Sequence, residues 1–196
     1  MLVQSIDVTM HTNYFSLVPT ALIALLLPVD LRAQQSDPPI PELLAAAIRK
    51  VAANAVLVAP EEVDTKACAP AGPTPSLVRG DFDGDGREDY AALLKLKETG
   101  KEAIWAGHKL KEAKFSFVLF ISDVNGGYKP RVVRSYTDFV PTAVVLDLQA
   151  PGAIRNRETR KYTNLSNPGV TLSFCEKSAT TYFIKAGAIK SIPVAD

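Results

Sequence analysis

Residues 115–121 read Phe-Ser-Phe-Val-Leu-Phe-Ile, a run in which apolar side chains fall on both faces of an extended chain. A strand that is apolar on both faces is typical of the middle of a sheet, where each face meets another layer. The following Asn125-Gly126-Gly127 is a strong hairpin signal, because Asn and Gly accept positive φ. We therefore predict a central strand at 115–121 and an antiparallel partner at 128–136.

Further runs with strand character lie on both sides of this pair. They are residues 77–79, 90–96, 143–148, 170–174, 181–185 and 188–192. A charged segment, residues 97–114, separates the run at 90–96 from the central strand. The pattern predicts a mainly antiparallel β-sheet of about seven strands.

One helix is predicted near the start of the folded part. Pro41 suits a first helical position, and Leu44, Ile48 and Val51 recur at helical spacing. A helix at 41–55 followed by strands gives an α+β fold, with an irregular connection at 60–75. The chain has 196 residues, of which 47% are hydrophobic and 22% charged, as expected of an ordinary globular protein. We predict a single domain at 41–196.

The N-terminus predicts a secretory signal peptide at residues 1–33, with initiation possible at Met10. Its apolar run, residues 15–29, is shorter than a membrane span and contains Pro19 and Pro28. These prolines would break a buried helix, which is the alternative interpretation. Cleavage after Ala33 would leave a flexible linker at 34–40 and an exported chain, periplasmic or secreted, with no stable membrane span.

Cys68 and Cys175 are the two cysteines of the chain. An even count in an exported protein favours a disulfide, and two unrelated buried thiols are the alternative. Closing a loop of roughly 100 residues would contribute about 4 to 5 kcal/mol on the chain-entropy model.

Charge and histidine content restrict the possible functions. The net charge of +1 argues against a nucleic-acid partner. His108 is the only histidine beyond the predicted signal peptide, so neither a zinc site with several histidines nor a catalytic triad is readily assembled. A basic cluster at residues 155–161 could meet an anionic surface such as lipid headgroups or a cell-wall polymer, although a solvated loop is the simpler interpretation.

The segment from Asp81 to Asp89, Asp-Phe-Asp-Gly-Asp-Gly-Arg-Glu-Asp, carries the clearest chemistry. Calcium takes six to eight oxygen ligands, so a short loop must supply carboxylates at alternate positions and turn sharply. Asp81, Asp83, Asp85 and Asp89 are the candidate carboxylate ligands, and Arg87 can offer its backbone carbonyl. A solvated acidic turn is the alternative, but four neighbouring carboxylates would repel one another without a cation.

An EF-hand is excluded, because that loop needs Glu at its twelfth position, where this chain has Ala92, and helices on both sides. Across residues 78–93 the segment instead resembles the calcium loop of FG-GAP and VCBS-type repeats, Asp-x-Asp-x-Asp-Gly-x-x-Asp between two strands. Those repeats build β-propellers in extracellular proteins. This chain has one copy, so a propeller is excluded and the chain looks like a small exported bacterial protein with a single such loop.

These features predict an exported, non-enzymatic protein in which Ca²⁺ braces a strand-loop-strand connection. The domain would bind an envelope or extracellular protein or polymer, or serve as a purely structural module. Affinity in the range of roughly 0.1 to 1 mM is expected for an extracellular site of this kind. The enzymatic alternative is a calcium-dependent hydrolase using Asp85 or Asp89, although the metal would need those same carboxylates.

Overall fold

The computed structural model describes residues 40–63, 76–105, 108–139, 144–175 and 177–195. All of them belong to one structural unit, Ser36–Asp196. Residues 1–39, which hold the predicted signal peptide and nearly all of the predicted linker, lie outside the described part of the chain. Cys68 lies outside it as well.

The apolar stretch at 115–121 lies in strand β4 (His108–Ser122), in the interior of the first sheet. Its neighbours β3 (Asp89–Trp105) and β5 (Tyr128–Phe139) are both antiparallel to it. Two short strands, β1 (Val56–Leu57) and β2 (Leu77–Gly80), pair with the other edge of β3. The predicted central strand and the hairpin turn at 125–127 are confirmed.

The predicted gap at 97–114 is wrong, because β3 and β4 continue pairing through it. The register joins Glu98 to Ala113 and Glu102 to Lys111, with irregularities between these pairs. The side chains described at residues 97–98 and 100–102 are exposed, so this part of β3 has no need of alternating apolar residues and its sequence lacks the period of a strand.

The second sheet has the strand order β11-β10-β9-β6, and all its pairs are antiparallel. Its strands are β6 (Val144–Gln149), β9 (Gly169–Phe174), β10 (Ser178–Lys185) and β11 (Ala188–Ala195). A separate hairpin consists of β7 (Gly152–Arg155) and β8 (Tyr162–Leu165).

The predicted α+β fold with one sheet of about seven strands is therefore wrong. Within the described residues there are eleven strands in three antiparallel sheets and one α-helix, α1 (Glu42–Val51), so the fold is mainly β. A 3₁₀ turn spans Pro60–Glu62. No α-helix among the described residues is long and apolar enough to cross a lipid bilayer.

The layers follow from which face of each strand is apolar. One face of the first sheet packs on the second sheet through Leu93, Phe117 and Leu172. The opposite face packs on α1 through Leu94 and Phe120. Full burial of side chains of this size contributes about 1.5 to 3 kcal/mol each, which explains why β4 must be apolar on both faces. The β7–β8 hairpin packs on the outer face of the second sheet through Ile154 and Leu165, which contact Phe183 and Ile192.

Candidate metal centre

The acidic loop joins β2 to β3, two paired strands whose register sets Gly80 opposite Asp89. The side chain of Phe82 anchors the loop, because it is only 1% exposed and belongs to the core between the two sheets. A Cβ atom at Gly80 would lie 3.0 Å from the Phe82 ring and 3.2 Å from Leu148. The aromatic side chain thus fits under the strand end because residue 80 is glycine.

Asp81 organises the turn of the loop. Its Oδ1 accepts the backbone N–H groups of Gly84 (2.7 Å) and Asp85 (3.0 Å), and its Oδ2 accepts that of Gly86 (2.9 Å). Gly84 and Gly86 have φ values of 82° and 83°, a left-handed conformation that glycine adopts without strain. The loop therefore wraps around the first carboxylate of the motif.

Asp89 closes the loop from the opposite end. It is fully buried, at 0% exposure, and its Oδ2 accepts the backbone N–H of Phe82 (2.9 Å) while Oδ1 accepts that of Ser122 (2.8 Å). Burial raises the pKa of this carboxyl group, and the two backbone N–H groups partly offset that rise. Each carboxylate oxygen still has acceptor capacity for a cation.

Three of the predicted ligands converge. Asp81, Asp83 and Asp89 each offer an oxygen, and these atoms all lie within 4.8 Å of one another. Two oxygens bound to one Ca²⁺ at about 2.3 to 2.6 Å can be at most about 5 Å apart, so the cluster has dimensions that suit this ion. Carboxylate oxygens are also the donors that a hard cation prefers.

Asp85 and Arg87 occupy a different position. The exposed Asp85 accepts the backbone N–H of Arg87 at 2.8 Å and forms an ion pair with the Arg87 guanidinium group. The Arg87 Nε–H also donates to Ser122 Oγ at 3.3 Å. The carboxylate of Asp85 is thus not part of the three-residue cluster, and its ligand role, like that of the Arg87 carbonyl, stays a prediction.

Glu88 also points away from the cluster. It accepts the hydroxyl proton of Tyr90 and lies 3.8 Å from the guanidinium group of Arg79. Burial is the main cause of the raised pKa of Tyr90, and the carboxylate of Glu88 adds to it. Tyr90 packs edge-to-face on Tyr128 at the helix side of the first sheet.

Two residues that support the loop were missed by sequence reasoning. Ser122 ends β4 and donates its backbone N–H to Asp89, as described above. Asn167, in the β8–β9 connection, covers Gly84 so closely that a Cβ atom there would lie 2.4 Å from the Asn167 Nδ2. Neither residue carries a signal in the sequence, because each reaches the loop only through tertiary packing.

The turn after β4 lies next to Ser122. Asp123 Oδ1 accepts the backbone N–H groups of Asn125 (2.8 Å) and Gly127 (3.1 Å). These hydrogen bonds lower the pKa of the Asp123 carboxyl group, with smaller contributions from the positive charges of Lys129 and Arg87. The side chain of Asp123 thus fixes the β4–β5 hairpin.

The predicted disulfide stays a prediction, because Cys68 lies outside the described residues. Cys175 follows β9 and packs, half-buried, against the main core. An intact mass that rises by two hydrogens on reduction would demonstrate the bond.

No family model, curated protein or solved structure matches the chain. The resemblance to FG-GAP and VCBS-type loops therefore rests on residues 78–93 alone.

Proposed function

We propose that this chain is an exported, non-enzymatic calcium-binding protein, in which Ca²⁺ at the Asp81–Asp89 loop braces the connection between β2 and β3. The observation that carries the proposal is the convergence of three carboxylates within 4.8 Å, one of them fully buried. Holding three negative charges together is unfavourable in the absence of a cation, and least favourable where one of them is desolvated.

A bracing role is supported by what the loop residues contact. Asp81 and Asp89 accept five backbone N–H groups in total, which come from the loop itself and from Ser122. These carboxylates are therefore held in place within a fixed turn. A general base needs a carboxylate that can reach a substrate proton, so this arrangement favours metal binding over hydrolysis.

Calcium should stabilise the fold measurably. With a dissociation constant of roughly 0.1 to 1 mM, about 10 mM calcium contributes about 1.4 to 2.7 kcal/mol to unfolding free energy. For a chain of this size that corresponds to a rise in Tm of roughly 3 to 11 °C. Differential scanning fluorimetry in chelator and in calcium would measure it, with magnesium at equal concentration as the control for ion size.

The proposal is refuted if calcium leaves the Tm unchanged at millimolar concentrations. An equal rise with magnesium would argue against a site matched to calcium.

Export is tested separately, by expressing the full chain with its leader and sequencing the N-terminus of the exported product. The expected first residue is Gln34, and retention of residues 1–33 on a cytoplasmic product would contradict it.

A further inference from the structure

The hairpin formed by β7 and β8, residues 152–165, is a basic projection on the outer face of the second sheet. Its turn and strand ends carry four cationic residues and one acidic residue, Glu158. The four cations are all exposed: Arg155, Arg157, Arg160 and Lys161. The basic hairpin has a net charge of +3 (four cations less one acid), whereas the rest of the chain has 18 Lys and Arg against 20 Asp and Glu, a net charge of −2.

The basic hairpin packs against the second sheet through apolar side chains. Ile154 and Leu165 are buried against Phe183 and Ile192 of the second sheet. This packing fixes the inner face of the hairpin to the body of the protein, so the outer face is presented in one orientation.

Hydrogen bonds close the turn of the basic hairpin and connect it to β11. The Asn156 N–H donates to the Lys161 carbonyl at 2.8 Å, and the Thr159 N–H donates to Asn156 Oδ1 at 2.8 Å. The Arg157 N–H donates to the carbonyl of Pro193 on β11 at 2.9 Å. Hydrogen bonds of this kind are usual in a hairpin turn, and they hold the cationic residues in a fixed arrangement. A fixed surface loses less conformational entropy when it binds a partner.

The solvent face of the basic hairpin pairs an aromatic ring with a guanidinium group. Arg155 lies directly opposite Tyr162, and Tyr162 is 71% exposed. The next outward pair is Ala153 with Asn164. A phenol ring offers a flat apolar face to the C–H groups of a sugar ring, and guanidinium groups bind carboxylates with two parallel hydrogen bonds.

Other anionic partners fit this surface less well. Insertion into a lipid surface calls for large apolar side chains beside the cations, and the outward positions hold Ala153 and Asn164 instead. A stable protein interface buries roughly 800 Å² on each partner around an apolar centre, which a two-stranded hairpin with one aromatic does not provide. A linear polymer needs only a narrow contact with repeated charges.

We propose that the basic hairpin is a docking surface for an acidic polysaccharide whose sugars carry carboxylates, with Tyr162 stacking on a sugar ring and Arg155 and Arg160 binding carboxylate groups. This inference deepens the proposed function by naming the class of partner for an exported binding module. It uses none of the carboxylates of the metal loop, so the two proposals can fail independently.

The test uses the processed chain and oligosaccharides of hyaluronan, a uronate polymer, in isothermal titration calorimetry at low ionic strength. The variant Arg155→Gln/Arg160→Gln should bind about tenfold more weakly than the parent chain. Arg155→Lys/Arg160→Lys keeps the charge and loses the planar fork, so it should bind with intermediate affinity. The matched control is Arg49→Gln/Lys50→Gln on α1, which removes the same charge from an exposed position in a different layer and should leave affinity unchanged.

Tyr162→Ala provides a second line of evidence, because it changes no charge and should still weaken binding. Far-ultraviolet circular dichroism of each variant should match that of the parent chain. The proposal is overturned if hyaluronan does not bind, if the control weakens binding as much as the hairpin variant, or if vesicles of phosphatidylglycerol bind more tightly than the oligosaccharide. Asp83→Asn should lose calcium binding and keep oligosaccharide binding, which separates failure of one proposal from failure of the other.

Discussion

Replacing Asp89 by Asn tests whether the buried carboxylate has a structural role beside its proposed metal-binding role. Both carboxylate oxygens accept backbone N–H groups, from Phe82 in a buried hydrogen bond and from Ser122 in a partly buried one. An amide has one acceptor oxygen, so its NH₂ group would face one of these donors and leave it unsatisfied. An unsatisfied buried donor costs about 1 to 3 kcal/mol.

The net effect should lie in the lower part of that range. Burial raises the pKa of Asp89, which means that its charged form is itself unfavourable in the fold, and the substitution removes that charge. We therefore expect Asp89→Asn to lower the unfolding free energy by about 1 to 2 kcal/mol in the presence of chelator. Urea unfolding followed by circular dichroism measures this directly.

Asp83→Asn is the matched comparison, because Asp83 belongs to the same carboxylate cluster but is only half-buried and accepts a single N–H, from Asp85 at 3.2 Å. In chelator its effect should stay within about 0.5 kcal/mol. In calcium both variants should lose most of the stabilisation that the parent chain gains. If Asp89→Asn is neutral in chelator, the hydrogen-bond argument is wrong. If calcium stabilises Asp83→Asn as strongly as the parent chain, the proposed ligand set is wrong.

Three further predictions concern the loop, the core and the neighbouring turn. Gly84→Ala should destabilise the protein by more than Gly86→Ala in urea unfolding, because both adopt positive φ but only the former meets a neighbouring side chain, at 2.4 Å; equal losses would contradict the close contact. Phe82→Ala should lower the unfolding free energy by about 3 to 5 kcal/mol. The control Val124→Ala, at a position 82% exposed, should change it by less than about 0.5 kcal/mol. A small loss of stability in Phe82→Ala would mean that the loop is not anchored in the core. The pKa of the Asp123 carboxyl group is lowered, so its contribution to stability is present above the ordinary pKa of 3.8 and is lost as the pH falls below that value. The unfolding free energy of Asp123→Asn should therefore fall less steeply with decreasing pH than that of the parent chain. Equal pH dependence of the two proteins in acid would refute this assignment.

The sequence was sufficient where local chemistry and burial agree. The stretch at 115–121 is apolar on both faces because it is covered on both faces. The following turn runs from Asp123 to Gly126 and needs a positive φ at Gly126, which the Asn125-Gly126 pair in the sequence allows. The convergence of Asp81, Asp83 and Asp89 was predictable because a tight turn brings closely spaced carboxylates together. In each case the requirement, for burial or for a tight turn, falls on residues that are close together in the sequence, so a local pattern shows it.

The sequence was insufficient to predict strands that form through pairing with a neighbouring strand and have no apolar pattern of their own. Beyond Lys97, β3 still pairs with β4, but its described side chains at residues 97–98 and 100–102 are exposed, so no apolar period marks this segment as a strand. The β7–β8 hairpin buries little beyond Ile154 and Leu165, which is too few residues for a pattern. Splitting of the strands into separate sheets depends on which apolar faces meet, and a single sheet of seven strands would satisfy the same alternation.

The loop connects metal binding to the packing of the two sheets through the alternation of its side chains. Asp81 and Asp83 contribute to the carboxylate cluster, while Phe82, between them, enters the core that both sheets share. Asp89 combines the two roles, since it belongs to the cluster and also accepts the N–H of Phe82 and that of Ser122 on β4. A cation that draws these carboxylates together would therefore restrain the backbone on both sides of Phe82 and the end of the central strand. Its binding free energy would stabilise the two packed sheets together, which is why the proposed role is a brace and why global unfolding is the appropriate measurement.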